Sequence, residues 1–265
     1  MQGGTRGINE EKGRKVLTRR RQKVLMALVD EYVESASPVG SGRIAQQYLT
    51  EVSPATIRNE LMGLETEGYV RSPHTSAGRI PTNTGYRVFV NALLLRERLA
   101  PEQDPAVAQG ATLGELGSRA LDAEQAADRA LAFLSGATGL LSVLWSVRSQ
   151  ATVRHRGLPQ LLAQPEFHDA TALVPLMQLI EDEAALARLF VSALGANGFL
   201  VKVGMDGRDG RLSSYSMVAE VHGEEQPQRA LAVFGPTRMD YRRAIPAVLL
   251  ASRLLDGAHA RIPGR

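Results

Sequence analysis

Residues 53–87, SPATIRNELMGLETEGYVRSPHTSAGRIPTNTGYR, constrain the fold more than any other stretch. Ser53-Pro54 is a favoured helix opening. The hydroxyl can accept from a free N–H of the first turn, and proline at the first helical position lacks only an N–H that has no helical partner there. Ile57, Leu61 and Leu64 recur at spacings of three and four and form one buried stripe. Gly68 suits the C-terminal stop, and Tyr69-Val70-Arg71 favours a short strand. The next sixteen residues, SPHTSAGRIPTNTGYR, are too irregular for a helix and too polar for a core strand.

The flanking segments complete a pattern. Thr18 is a candidate N-cap for a helix with Leu25, Leu28, Val29, Tyr32 and Val33 on one side. SASPVG ends it. Ser41 can cap a short second helix with Ile44, Ala45, Tyr48 and Leu49 on one face. A further helix from about Thr82 carries Tyr86, Phe89, Val90 and Leu93. Three short helices, a strand, a loop and a return predict a winged helix-turn-helix whose loop is the wing.

Charge points to a polyanionic partner. The net charge is +3, but residues 1–98 hold 15 basic and 10 acidic residues against 16 and 18 in the remainder. Lys12, Arg14, Lys15, Arg19, Arg20, Arg21 and Lys23 run together without an acid. A solvated helix end explains many such runs; the missing carboxylates favour binding to a polyanion. No apolar run approaches the roughly 18 residues of a membrane span, and the N-terminus lacks the apolar core of a signal peptide. The absence of cysteine excludes disulfides and thiolate chemistry and fits a cytoplasmic protein.

On a helical wheel the third helix turns Ala55, Asn59 and Met62 away from the Ile57 stripe, with Thr56, Arg58 and Gly63 on the flanks. Asn pairs bidentately with adenine and Arg with guanine, while alanine or a threonine methyl can meet a thymine methyl. Thr56, Arg58 and Asn59 are the candidate base readers; an ordinary amphipathic helix with a polar outer face gives the same pattern. Arg19, Arg20 and Arg21 are candidate phosphate contacts, with Arg43 beside them. Ser41, Ser53, Thr75 and Ser76 offer donors that fix register without reading sequence. Arg79 is the expected wing residue for a minor groove or a phosphate. Gly78 permits a close backbone approach, and His74 faces either a phosphate or the local backbone.

Residues 1–16 read as disordered, 99–112 as a linker and 113–265 as an α+β domain. In that domain Glu115–Leu134 and Leu173–Leu194 are expected to be helical, the second interrupted near Pro175. TGLLSVLWSV reads as a buried strand. FLVKVGM, SYSMVAEV and ALAVFG read as an antiparallel meander, followed by a last helix over Ala247–Leu255. The five histidines are scattered without metal-ligand spacing, and neither a phosphate-binding P-loop nor a nucleophile elbow is present. No cofactor, metal or enzymatic activity is expected. Arg238 reads equally as structural or as an interface contact.

PVGS, SPATIRNEL, LETEGY and PHTSAGRIPT together resemble the N-terminal blocks of the HrcA family, the heat-inducible repressors of bacterial chaperone operons. LPQLLAQPEFHDATALVPLMQLIEDE and VFGPTRMDY resemble its second half. The resemblance implies a winged helix, residues 17–98 here, joined to a GAF-like domain. It further implies a homodimer on an inverted-repeat operator, release on heat stress, a GroEL-type chaperonin partner and a cytoplasmic, nucleoid-associated location. The family's inserted dimerisation segment is missing, because LLSVLWSVRSQATVRHRG passes almost directly to the PEF region. Pro246 also implies a helix start near Ala244 rather than Asp240. A small-molecule-responsive regulator is the alternative reading, and an enzyme with an accessory DNA-binding domain a third.

Overall fold

Thr18 accepts a hydrogen bond from the Arg21 backbone N–H at 3.2 Å and opens helix α1, Arg19–Ser35. Ala36, in the left-handed region at φ 51°, ends it. Helix α2, Ser41–Gln47, starts from an extended Gly40 with no side-chain cap. Ser41 is thus the first helical residue and not the cap that the sequence suggests; glycine fills that position. Helix α3, Pro54–Thr66, has Ser53 at its N-cap and proline in its first turn, and Gly68 follows its end at φ 77°. Strands β1, Val70–Arg71, and β2, Ile80–Pro81, pair antiparallel, with Arg71 opposite Ile80. An isolated bridge joins Val39 to Arg79. Val24, Leu25, Leu28, Ile44, Ile57, Leu61, Leu64 and Val70 make the core of this unit, while Tyr32 and Val33 are half-buried.

The computed structural model describes residues 17–74, 78–99, 122–147, 150–194, 198–205 and 210–259. The chain divides into two compact units, Met1–Thr82 and Asn83–Arg265. Residues 1–16, most of the expected linker, and the helix start expected at Glu115 lie outside the described residues. Helix α4, Asn83–Leu99, opens the second unit, whereas the pattern extends the first domain to residue 98. Its packing explains the difference. Asn83 donates to the Ser213 carbonyl at 3.3 Å and Arg87 to that of Val203 at 3.1 Å. The Tyr86 ring lies 6.1 Å from that of Tyr241, and the Arg242 guanidinium covers Phe89 at 5.2 Å.

The second unit continues with α5 (Ala123–Thr138), β3 (Leu141–Val147), β4 (Ala151–Arg156) and α6 (Leu158–Leu162). After two short 3-10 turns come α7 (Val174–Glu181), α8 (Glu183–Leu194), β5 (Phe199–Val203), β6 (Tyr215–His222), β7 (Arg229–Pro236) and α9 (Tyr241–His259). The sheet order is β4-β3-β7-β6-β5 and every pairing is antiparallel. Strands β5, β6 and β7 form the expected meander. Period-two alternation splits the sheet's side chains. Val143, Trp145, Met217, Ala232 and Phe234 share one core with Leu161, Phe167, Leu176, Leu186 and Phe190. On the other face Ser142 donates to the Leu131 carbonyl of α5 at 2.9 Å, and α9 packs against α5 and β6.

Three expectations for this unit change. Strand β4 was not expected: it pairs with β3 along the segment read only as the remnant of an insertion. The break in the 173–194 helix falls at Asp182, not Pro175. Proline sits in the first turn, where it breaks no bond, while Asp182 caps α8 through Ala185 N–H at 2.9 Å. Helix α9 starts at Tyr241 and holds Pro246 inside it. Asp240 supports that start by accepting from the N–H groups of Ala244 and Arg243.

Candidate nucleic-acid interface

Helix α3 is fixed on one side and open on the other. Ile57, Leu61 and Leu64 are buried, and Ala55, Arg58, Asn59 and Met62 are exposed, Met62 at 55%. Among the described residues neither the Arg58 nor the Asn59 side chain has a hydrogen-bond or ion-pair partner. An exposed methionine with an unpaired arginine and asparagine is a surface able to meet base edges. Thr56 is half-buried and already engaged: its hydroxyl lies 2.9 Å from that of Ser53, and its N–H donates to Ser53 Oγ at 3.2 Å. Ser53 is therefore first of all the cap that sets where α3 begins.

The predicted cations divide into two sets. Arg19 and Arg20 are exposed at the start of α1, as is Lys23, and none has a partner among the described residues. Arg21, Arg43 and Arg79 each meet a carboxylate of another element. Arg21 Nε lies 3.1 Å from Glu60 Oε2 and its Nη1 2.7 Å from Glu67 Oε1. Arg43 Nε lies 2.6 Å from Oε1 of the buried Glu31. Arg79 Nη2 lies 2.8 Å from Glu65 Oε2, and its Nη1 donates to Ser72 Oγ at 2.9 Å. Tyr48 donates to Glu31 Oε2 at 3.3 Å; burial first, then Glu34 and Glu31, pushes its phenol up to about 12.

The wing base is tied to the chain before α2. Arg79 and Val39 exchange both backbone hydrogen bonds, at 2.8 and 2.9 Å. A Cβ at Gly78 would fall inside the Val39 backbone, so this glycine serves an intramolecular approach. His74 is exposed and its carbonyl accepts from Ser72 Oγ at 3.2 Å. Ser41 is half-buried. Thr75 and Ser76 lie outside the described residues. Arg71, on β1 beside the buried Val70, is an exposed wing cation that the sequence did not single out. Its alternation with Val70 was the available signal.

Arg238 proves structural in part: its guanidinium meets Glu166 at 2.7 Å and Gln164 at 3.3 Å. Among the described residues no group of three or more His, Asp or Glu side chains could hold a metal ion, and no helix is long and apolar enough to cross a membrane.

The comparisons with known proteins agree with this geometry. Residues 16–93 match the family model described as winged helix-turn-helix transcription repressor, HrcA DNA-binding, and residues 106–245 match that of the HrcA protein C-terminal domain. The chain is 26% identical to the heat-inducible transcription repressor HrcA of Desulforamulus reducens over 344 residues, covering 92% of this chain and 97% of that protein. That span exceeds the 265 residues present here, so the relative carries segments with no counterpart in this chain, as a missing insertion requires. The repressor HrcA of Bifidobacterium animalis subsp. lactis is 41% identical over 145 residues, 54% of this chain and 38% of that one. A crystal structure of a hypothetical protein at 2.2 Å resolution shares the fold, with a TM-score of 0.76 at 20% identity over 92% of this chain and 99% of the other. The chain thus belongs to the HrcA family of heat-inducible transcription repressors and carries the family's winged helix-turn-helix DNA-binding domain and an α+β second domain with an antiparallel sheet.

Proposed function

We propose that this repressor seats α3 in the major groove, with Arg58 and Asn59 reading base edges and Ala55 and Met62 offering apolar contact to thymine methyls. The observation that carries the reading is the open strip on a helix whose opposite side is buried. Arg19 and Arg20 take phosphates beside the groove. Ser41 and Ser53 add donors near the same backbone, and His74, at the wing, lies within reach of a phosphate. The DNA-binding part spans 17–98, 99–112 links it, and 113–265 serves regulation and pairing.

The site is an inverted repeat bound by a homodimer in the bacterial cytoplasm, on the nucleoid. One winged helix supplies modest contact, and pairing two of them multiplies affinity through effective concentration. Heating separates the pair and releases the operator, and a GroEL-type chaperonin restores the binding form. Sedimentation velocity of the chain with a synthetic inverted repeat tests the stoichiometry. Two chains per duplex are expected; one chain per duplex, indifferent to the second half-site, contradicts it.

A second reading, a small-molecule-responsive repressor, is favoured by one observation. A cavity of about 930 Å3 in the second unit is lined by Glu124, Leu144, Thr152, Arg154, His222 and Arg229, among others. A metabolite that raises the melting temperature supports it.

A further inference from the structure

Two arginines that a charge count assigns to DNA turn their guanidinium groups onto the reading helix instead. Glu60, Gly63 and Glu67 lie at spacings of three and four and share one side of α3. The Arg21 fork spans them: its Nε and Nη1 reach the two carboxylates, and its plane lies over Gly63. A Cβ on Gly63 would stand 2.6 Å from Arg21 Nη2 and 2.8 Å from its Cζ. Arg79 reaches the same helix from the wing through Glu65, and Ser72 and the Val39 backbone hold it from behind. Their side chains are 26% and 23% exposed.

We infer that Arg21 and Arg79 are positioning residues that lock α3 to α1 and to the wing and contact no phosphate; this rests on α3 being the reading helix. Two physical consequences follow. A fixed helix meets base edges without first losing orientational freedom, so affinity depends on the locks. The pairs also offset two of the three negative charges of Glu60, Glu65 and Glu67, which would otherwise face a polyanion uncompensated. The pairs are only partly exposed, but each arginine sits at the edge of a core made by Leu25, Leu28, Ile57 and Leu64, which holds the domain together without them.

The two roles differ in salt dependence. Losing a phosphate contact flattens the plot of log affinity against log salt by about 0.9 per contact. Losing a lock lowers affinity and leaves the slope. The probe is a duplex selected for tightest binding from a randomised pool, bound by the full chain at several salt concentrations. Arg21→Ala and Arg79→Ala are each expected to weaken binding several-fold with the wild-type slope. The exchange Arg79→Glu with Glu65→Arg is expected to recover most of the affinity lost in Arg79→Glu alone.

A slope flatter by about one in Arg21→Ala or Arg79→Ala overturns the inference. So does an exchange that recovers nothing. Arg58→Ala, measured alongside, separates the two levels: unchanged binding there removes α3 as the reading helix, whereas the other failures remove only the locks.

Discussion

Glu31 of α1 is 1% exposed and its Oε1 lies 2.6 Å from Nε of Arg43 on α2, while its other oxygen accepts from the Tyr48 hydroxyl. A buried carboxylate thus joins the two helices that precede α3. Tyr48 is raised to about 12 by burial and by Glu34 and Glu31. A tyrosine raised in the folded state contributes stability that is full below its unfolded value near 10 and is lost as pH climbs toward 12. Glu31→Gln is expected to lower Tyr48 only part of the way, since burial and Glu34 remain, and to lessen the loss over that window. Tyrosine-labelled NMR titration checks it; an unmoved Tyr48 contradicts it.

Ser53 caps α3 through the Thr56 N–H. Ser53→Ala is expected to lower stability by about 1 kcal/mol, and Ser53→Asp or Ser53→Asn to retain most of it. Urea denaturation measures the difference. Equal loss in all three variants shows that the hydroxyl acts in some other way.

Gly78 leaves no room for a Cβ beside the Val39 carbonyl, and backbone cannot move aside as a flexible side chain does. Gly78→Ala is expected to open the Val39–Arg79 bridge at a cost on the order of 1–3 kcal/mol. Operator affinity should fall although no charge or donor is lost. Faster amide exchange at Val39 and Arg79 reports the opened bridge, and wild-type protection there contradicts it.

Glu220 is raised from its ordinary value chiefly by burial, with Ser252, Asp256 and Arg229 as smaller influences. The folded state therefore holds this proton more tightly than the unfolded chain does. Stability is fullest below the ordinary carboxylate range and falls as pH rises through the raised value. Glu220→Gln should melt above wild type at pH 7 and close to it at pH 4. A variant less stable at pH 7 would show that the charge is worth more than its burial costs.

Local chemistry was legible in the sequence and long-range pairing was not. Ser53-Pro54, the Ile57–Leu61–Leu64 stripe and Gly68 fix the thirteen-residue α3, and all of them act as their types suggest. The basic run also announced itself. What a count of charges cannot give is the partner: Arg21 meets Glu60 and Glu67 from 39 and 46 residues away, so it reads as a free cation until the fold closes. Arg79 misled for the same reason. Strand β4 was missed because ATVRHR is short, polar at an edge and paired only through β3. The helix break at Asp182 was misplaced because proline is the louder signal, although one in a first turn breaks nothing.

The most direct test of α3 as the reading helix is the affinity and base preference of Asn59→Ala on a selected inverted repeat. The account predicts a loss of about 1–3 kcal/mol on the preferred duplex and relaxed preference at one position in each half-site. Unchanged affinity with unchanged preference would contradict it.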